Sequence, residues 1–303
     1  MRESTTGAVL VFAAAAGFGT IGIFGEIAAA IDLELSTLLP VRFGLATIVV
    51  AALATVGDWA RPVSRRDWSV TLSLGVVYTA MTLFFFISLR HLTAGLATVV
   101  LYTYPAMVVV LSVAFLDEAI TTRKVIALVL AMAGVGLVVG TDTAGADPIG
   151  VALALGAAAF YAVYTTGSRS VSATLAPRAL MLGVLVGTTA SMAVYGVLDG
   201  GLALPVGSDE WGVVLGMVVV STVLPLLLFY EGVSRLEASR VGVVSTVEPV
   251  VTVILGAIIL GEQVTVFVVA GGALVLAAVV LAQGNRQEPP GRSDADVVSS
   301  RSD

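Results

Sequence analysis

Ten apolar runs, each long enough to cross a bilayer, take up nearly all of this 303-residue chain and decide most of what it can become. They lie at 7–29, 36–57, 69–90, 93–116, 123–140, 149–168, 178–198, 211–233, 238–260 and 264–283. A hydrocarbon core of ~30 Å takes about 20 residues of helix, and inside it the backbone must satisfy its own amides and carbonyls. A membrane β-barrel would show alternating segments of about ten residues instead. With 58% hydrophobic and 12% charged residues the chain lacks the polar surface of a soluble domain. The expected fold is therefore all-α and integral to the membrane, with ten transmembrane helices. Arg2 and the small residues Ala13 to Ala16 give the first run a superficial likeness to a secretory signal. Its length exceeds the about 7 to 15 residues of such a signal's apolar region, so it reads as a retained helix.

The runs are not independent of one another. Leu101 to Thr121 reads LYTYPAMVVVLSVAFLDEAIT, and Ser245 to Thr265 reads STVEPVVTVILGAIILGEQVT. Pro105 and Pro249 are each followed thirteen residues later by a glutamate, Glu118 and Glu262, and three further on by a threonine. The same offset of 144 aligns Leu92 with Leu236, Ala94 with Ala238 and Leu116 with Leu260. Self-similarity at this scale marks a duplicated membrane unit, the way many secondary transporters are built. The expected division is a first five-helix repeat at 1–140, an outer linker at 141–148, a second five-helix repeat at 149–283 and a disordered polar tail at 284–303.

Loop charges give the orientation. With the N-terminus inside, thirteen of the fifteen basic residues fall in cytoplasmic segments, Arg90 alone lies in an outer loop and Arg42 lies within a helix. Asp32, Glu34, Asp142, Asp147, Asp199, Asp209 and Glu210 fall outside. Five spans per unit is an odd number, so the two repeats have inverted topology and both termini are cytoplasmic. Trp68 and Trp211, each preceded by an acid, then anchor corresponding helices at opposite interfaces.

Two five-helix units, each carrying proline, thirteen residues, glutamate and threonine before a small-residue helix, resemble the EamA family of the drug/metabolite transporter superfamily. The residues that carry the likeness are His91-Leu-Thr-Ala-Gly, Pro105 and Glu118-Ala-Ile-Thr121 in the first unit. In the second they are Arg235-Leu-Glu-Ala-Ser, Pro249 and Glu262-Gln-Val-Thr265, with Arg42-Phe43 as weaker support. The resemblance implies a plasma-membrane secondary transporter that carries a small molecule through a central cavity by alternating access, and an exporter is the expectation.

Glu248 is the leading candidate for chemistry. It stands ten residues into the ninth run, ~15 Å deep at 1.5 Å per residue. A charge there costs at least ~2.5 kcal/mol, so the side chain is expected to face a cavity or a partner, or to hold a proton. Proton coupling is the corresponding expectation for transport. Ser245 and Thr252 share its face, and Pro249 leaves the Ser245 carbonyl without its helical donor. Tyr102, Tyr104 and Pro105 form the matching site of the first unit, where the phenols either line the cavity or simply pack. Glu26 and Arg42, at similar depth below the outer surface, are expected to pair as a gate, with Asp32 or Glu34 as alternative partners for Arg42. Glu118 and Glu262 stand at helix ends and read as structural.

Other functions find little support. Gly17-Phe-Gly19-Thr-Ile-Gly22 has dinucleotide spacing, but no strand precedes it; close helix contact explains it better, as it does Gly183, Gly187, Gly212 and Gly216. There is no cysteine, one histidine and no metal-ligand spacing, so neither metal nor cofactor is expected. With 21 acids against 15 bases and no basic cluster, nucleic acid is not a partner. A channel-like pore and an intramembrane enzyme stay open as alternatives. The midplane reads as an acid with tyrosines and no Lys or Arg, which favours zwitterionic, cationic or neutral metabolites over phosphorylated ones. Oligomeric state is not written in the sequence.

Overall fold

The computed structural model describes residues 2–57, 59–115, 121–139, 147–172, 174–236, 241 and 244–283, and among them every regular element is a helix. The first apolar run forms two helices in line, α1 (Arg2–Phe18) and α2 (Ile21–Ala30). Next come α3 (Leu35–Val56) and α4 (Arg65–Ser88), then a second broken pair, α5 (Ala94–Leu101) and α6 (Tyr104–Phe115), and α7 (Thr122–Val139). The second half holds α8 (Pro148–Ser172), α9 (Pro177–Leu198), α10 (Gly207–Val218), a π-helical turn at Val219–Val223 and α11 (Leu224–Val233). It ends with α12 (Val247–Leu255), a second π-helical turn at Gly256–Leu260, and α13 (Val266–Gln283). Seven stretches among the described residues are long and apolar enough to cross a membrane, and Val125–Leu137, Val247–Leu260 and Val266–Leu281 are shorter apolar helices. Glu118, most of the outer linker and the tail from 284 lie outside the described residues.

Helix boundaries follow local chemistry. Ser64 starts α4 with a capping box: its hydroxyl accepts from the Asp67 amide at 3.0 Å, and its own amide donates to the Asp67 carboxylate at 3.0 Å. Asp147 does the same work for α8, accepting from the Ile149 amide at 2.9 Å, with Pro148 at the first helical position, where its missing N–H is not needed.

Packing joins the halves throughout. α4 lies against α8 and α9, α1 against α11, α3 against α9, α7 against α13, and α12 against α5 and α1. Small residues permit the closest of these approaches. At the α4–α9 crossing a Cβ on Gly75 would come within 2.7 Å of the Gly187 Cα, so the two backbones touch only because both residues lack side chains. Gly183 and Gly187 thus make the expected close contact, whereas Gly212 faces open space.

The distribution of polarity is that of a membrane protein. Large apolar side chains such as Ile48 and Ile258 point outward, 65% and 75% exposed, while Arg42, Thr98, Ser221, Thr222 and Thr252 are buried. Charges gather at the ends. Glu231 meets Arg235 at 2.6 Å and Arg178 at 3.6 Å, and Arg178 lies over the Trp59 ring at 4.7 Å. His91 Nδ1 lies 2.6 Å from Asp147 at another surface. Each cluster unites residues that the loop charges assign to one side.

Candidate functional site

The helices are interrupted at Gly19-Thr20, Tyr102-Thr103, Val219–Val223 and Thr246, and hydrogen bonds tie these interruptions together. An interrupted helix exposes backbone groups that an intact one hides, so side chains nearby are recruited to satisfy them. The Thr20 hydroxyl meets the Ser221 hydroxyl at 2.6 Å, which links the first break to the π turn. Thr252 donates to the Gly19 carbonyl at 2.8 Å, which links the first break to α12. Gly19 is required here, since a Cβ would lie 2.8 Å from the Glu248 carbonyl oxygen.

The third tie contains the acid. Tyr102, at the end of α5, has its hydroxyl 2.9 Å from the Ser245 carbonyl and 2.8 Å from Glu248 Oε2. Pro249 is what frees that carbonyl, because residue 249 has no amide to return to residue 245. A phenol carries one proton, and a carbonyl can only accept. The phenol therefore serves Glu248 when the carboxylate is ionised, leaving the Ser245 carbonyl unserved. It serves Ser245 and accepts from Glu248 when the acid carries a proton. The three groups hold a different hydrogen-bond pattern in each protonation state.

From this cluster a row of aromatic rings runs across the interior. Tyr102 and Tyr104 have centroids 6.0 Å apart, Tyr104 and Tyr161 4.4 Å, Tyr161 and Tyr164 6.0 Å, Tyr164 and Tyr78 5.1 Å, and Tyr78 and Phe43 6.1 Å. The row ends at Arg42, whose guanidinium carbon lies 4.9 Å from the Phe43 ring centre. Beside it opens a small cavity of about 40 Å³, lined among others by Arg42, Tyr78, Tyr164, Ser221, Thr222 and Tyr230. Pro225 follows the π turn, whose extra residue aims the Thr222 hydroxyl at Arg42. Thr222 donates back to the Met217 carbonyl at 3.0 Å and accepts from Arg42 Nε at 2.9 Å.

Glu248, Ser245, Pro249, Tyr102, Tyr104 and Pro105 thus come together where the halves meet, and Thr252 fastens α12 to α1 beside them. One expectation is corrected. Among the described residues no ion pair joins Glu26 to Arg42, and Asp32 and Glu34 line a separate groove with Arg90. Matched depth on two helices fixes height but not facing, and Arg42 faces inward toward the π turn. A cation therefore lines the interior. Tyr78, Tyr161, Tyr164 and Thr222 were missed; Tyr161 and Tyr164, three apart on one face of α8, carried a signal.

Glu262 has the structural role expected of it, served across the halves. Its carboxylate accepts from the Ala94 amide at 2.8 Å and the Gly95 amide at 3.2 Å, and Thr93 takes the Leu96 amide at 3.3 Å. A carboxylate from the second half therefore caps the start of α5 in the first.

Comparison with known proteins agrees with this architecture. The EamA-like transporter family matches at residues 5–140 and again at 148–283. An uncharacterised transporter of Archaeoglobus fulgidus is 28% identical over 270 residues, 86% of this chain and 95% of its own. The threonine/homoserine exporter RhtA of Escherichia coli K12 is 28% identical over 245 residues, 78% of each chain. A crystal structure with 18% identity superposes with a TM-score of 0.67 over 92% of this chain and 96% of its own, which shows a shared fold. This chain is a multi-pass membrane protein and a member of the EamA-like transporter family, a transporter and not an enzyme.

Proposed function

We propose that the protein is a secondary transporter of the plasma membrane that exports a small metabolite by alternating access, coupled to proton movement through Glu248. The observation that carries this reading is the Tyr102–Ser245–Glu248 cluster, in which one phenol proton is shared between two acceptors from the other half of the chain. Protonation of Glu248 releases Tyr102 to the Ser245 carbonyl and deprotonation draws it back, so the bond between the halves depends on the proton. Ten helices in two inverted five-helix repeats, divided at the linker 141–148 and with both termini cytoplasmic, give the two bodies that rock. Support for the repeats comes from contacts that match when the halves are exchanged, α1 on α11 as α8 on α4. Glu26 stays a candidate for the outer gate in this reading, while Glu262 serves as the α5 cap.

The likeness to a threonine/homoserine exporter makes small hydroxylated amino acids the first substrates to test. Purified protein in liposomes preloaded with threonine or homoserine is expected to show saturable counterflow and accumulation driven by an imposed pH gradient. Leakage without saturation would point to a pore. Single cysteines at Arg65 and Asp209, in a chain with no cysteine of its own, test the orientation: an impermeant thiol reagent outside cells is expected to label the second alone.

A further inference from the structure

Among the described residues Arg42 is a cation without a counter-charge. It is 2% exposed, and among the described residues no carboxylate lies within 4.0 Å of it. Its contacts are the Thr222 hydroxyl at Nε and the rings of Phe43 and Phe86, 4.9 and 5.9 Å from the guanidinium carbon. A guanidinium offers five N–H donors in a fixed fork, and among the described residues Nε alone is engaged by a side chain. A lone buried charge is costly, and a fold that needed only packing would be better served by an apolar residue of similar size. The rings hold the plane of the fork, Thr222 fixes its Nε edge, and Thr222 is itself fixed by its bond to the Met217 carbonyl in the π turn. What is left of the fork opens onto the cavity.

We propose that Arg42 is the substrate's carboxylate-binding residue. Among the described residues the rest of the cavity wall supplies hydroxyls, aromatic faces and aliphatic side chains such as Leu185 and Leu226, but no second cation. Its charge therefore suits a monocarboxylate better than a dianionic phosphate ester. Guanidinium and carboxylate match in a planar, two-bond geometry that a lysine does not reproduce. Tyr78 and Tyr164, whose rings face the same space, offer π surfaces to an ammonium group on the same molecule. The proposal rests on the transport reading above and deepens it by assigning which end of the substrate is held.

The test reads binding, so its failure is distinguishable from a failure of transport. Thermal unfolding of purified protein in detergent is followed against rising concentrations of free amino acids and of their carboxamides, threonine and threoninamide first. Saturable stabilisation by at least one free amino acid, with its carboxamide without effect, is expected for the wild-type protein. Arg42→Gln is expected to weaken that response about 10- to 100-fold, the loss typical of a charged hydrogen-bonded contact, and Arg42→Lys to restore it only in part. Should Arg42→Gln fail to fold, Thr222→Val keeps the shape, removes the hydroxyl that orients the fork and is expected to weaken the response about tenfold. The proposal is overturned if no carboxylate gives saturable stabilisation, if carboxamides act as well as acids, or if the variants respond as wild type does.

Discussion

The two proline breaks stand at equivalent places in the duplicated sequence, and they differ in chemistry. At Pro249 the preceding residue is Glu248 and the freed carbonyl of Ser245 meets a phenol. At Pro105 the preceding residue is Tyr104, which shares a proton with no side chain among the described residues and packs on Tyr161. Duplication supplied two matching interruptions of the backbone, and divergence gave an acid to one and rings to the other. Under the proposed proton coupling the asymmetry has a use, because a proton carrier is needed once per cycle and the path leading to it is better lined with groups that hold no charge. It also places donor and acceptor on opposite halves, so that the bond between them reports on how the halves are arranged.

The largest expected effect comes from making the two breaks alike in charge. Glu248→Gln removes the ionisable group while keeping its size. Losing a charged hydrogen-bonded contact of ~1.5–3 kcal/mol corresponds to about a 10- to 100-fold fall in pH-driven accumulation, with counterflow largely retained. Accumulation at the wild-type rate and with wild-type pH dependence would make Glu248 a packing residue. Tyr102→Phe keeps the ring and deletes the shared proton, so a smaller loss, about 1–2 kcal/mol or roughly tenfold in rate, is expected. Combined with Glu248→Gln it is expected to add little. Full additivity in the double variant would show that the two residues do not act together.

The contrast between the breaks also shows what is legible in the sequence and what is not. Apolar length and the 144-residue repeat set the helices, and Pro249 identifies the carbonyl that is left free. Its receiver is hidden, since Tyr102 reaches Ser245 through tertiary packing and no local spacing announces a contact across 143 residues. Arg42 stands out by its depth, yet depth assigns it the wrong partner, because a helix count fixes height along an axis while the facing residue is set by a π turn. That turn has no sequence signature of its own beyond Pro225, six residues after it begins. The break at Gly19-Thr20 escapes for a related reason: Gly17, Gly19 and Gly22 read as contact surfaces, and they also permit the chain to open there.

Smaller effects sharpen the comparison at the outer ends of the halves. Glu262→Ala strips the cap from the start of α5, and a loss of ~0.5–2 kcal/mol is expected in unfolding measurements in detergent. Thr93→Ala, which removes the neighbouring cap from the same helix, is expected to cost a similar or smaller amount. No change for Glu262→Ala would mean that the inter-half cap contributes nothing to stability. The least effect is expected at Asp147, whose carboxyl is held below the usual carboxylate range by the Ile149 amide and by its contact with His91. A depressed folded value means that this stabilisation is present above the unfolded value of ~3.9 and is lost as pH falls through the folded one. Asp147→Asn is accordingly expected to lower stability slightly at neutral pH and to flatten the acid limb of a stability-versus-pH curve, over which the contribution is lost; an unaltered acid limb would remove Asp147 from the account.

The claim that Glu248 exchanges a proton during transport is tested most directly by proton uptake and release on substrate addition. Purified protein in lightly buffered detergent with a pH-sensitive dye is mixed with a saturating substrate at several starting pH values. The wild-type protein is predicted to take up or release protons in proportion to substrate bound, with a signal that varies with starting pH, and Glu248→Gln to bind with no proton signal. An equal proton signal from the Gln variant, or none from a wild-type protein that binds and transports, would contradict the account.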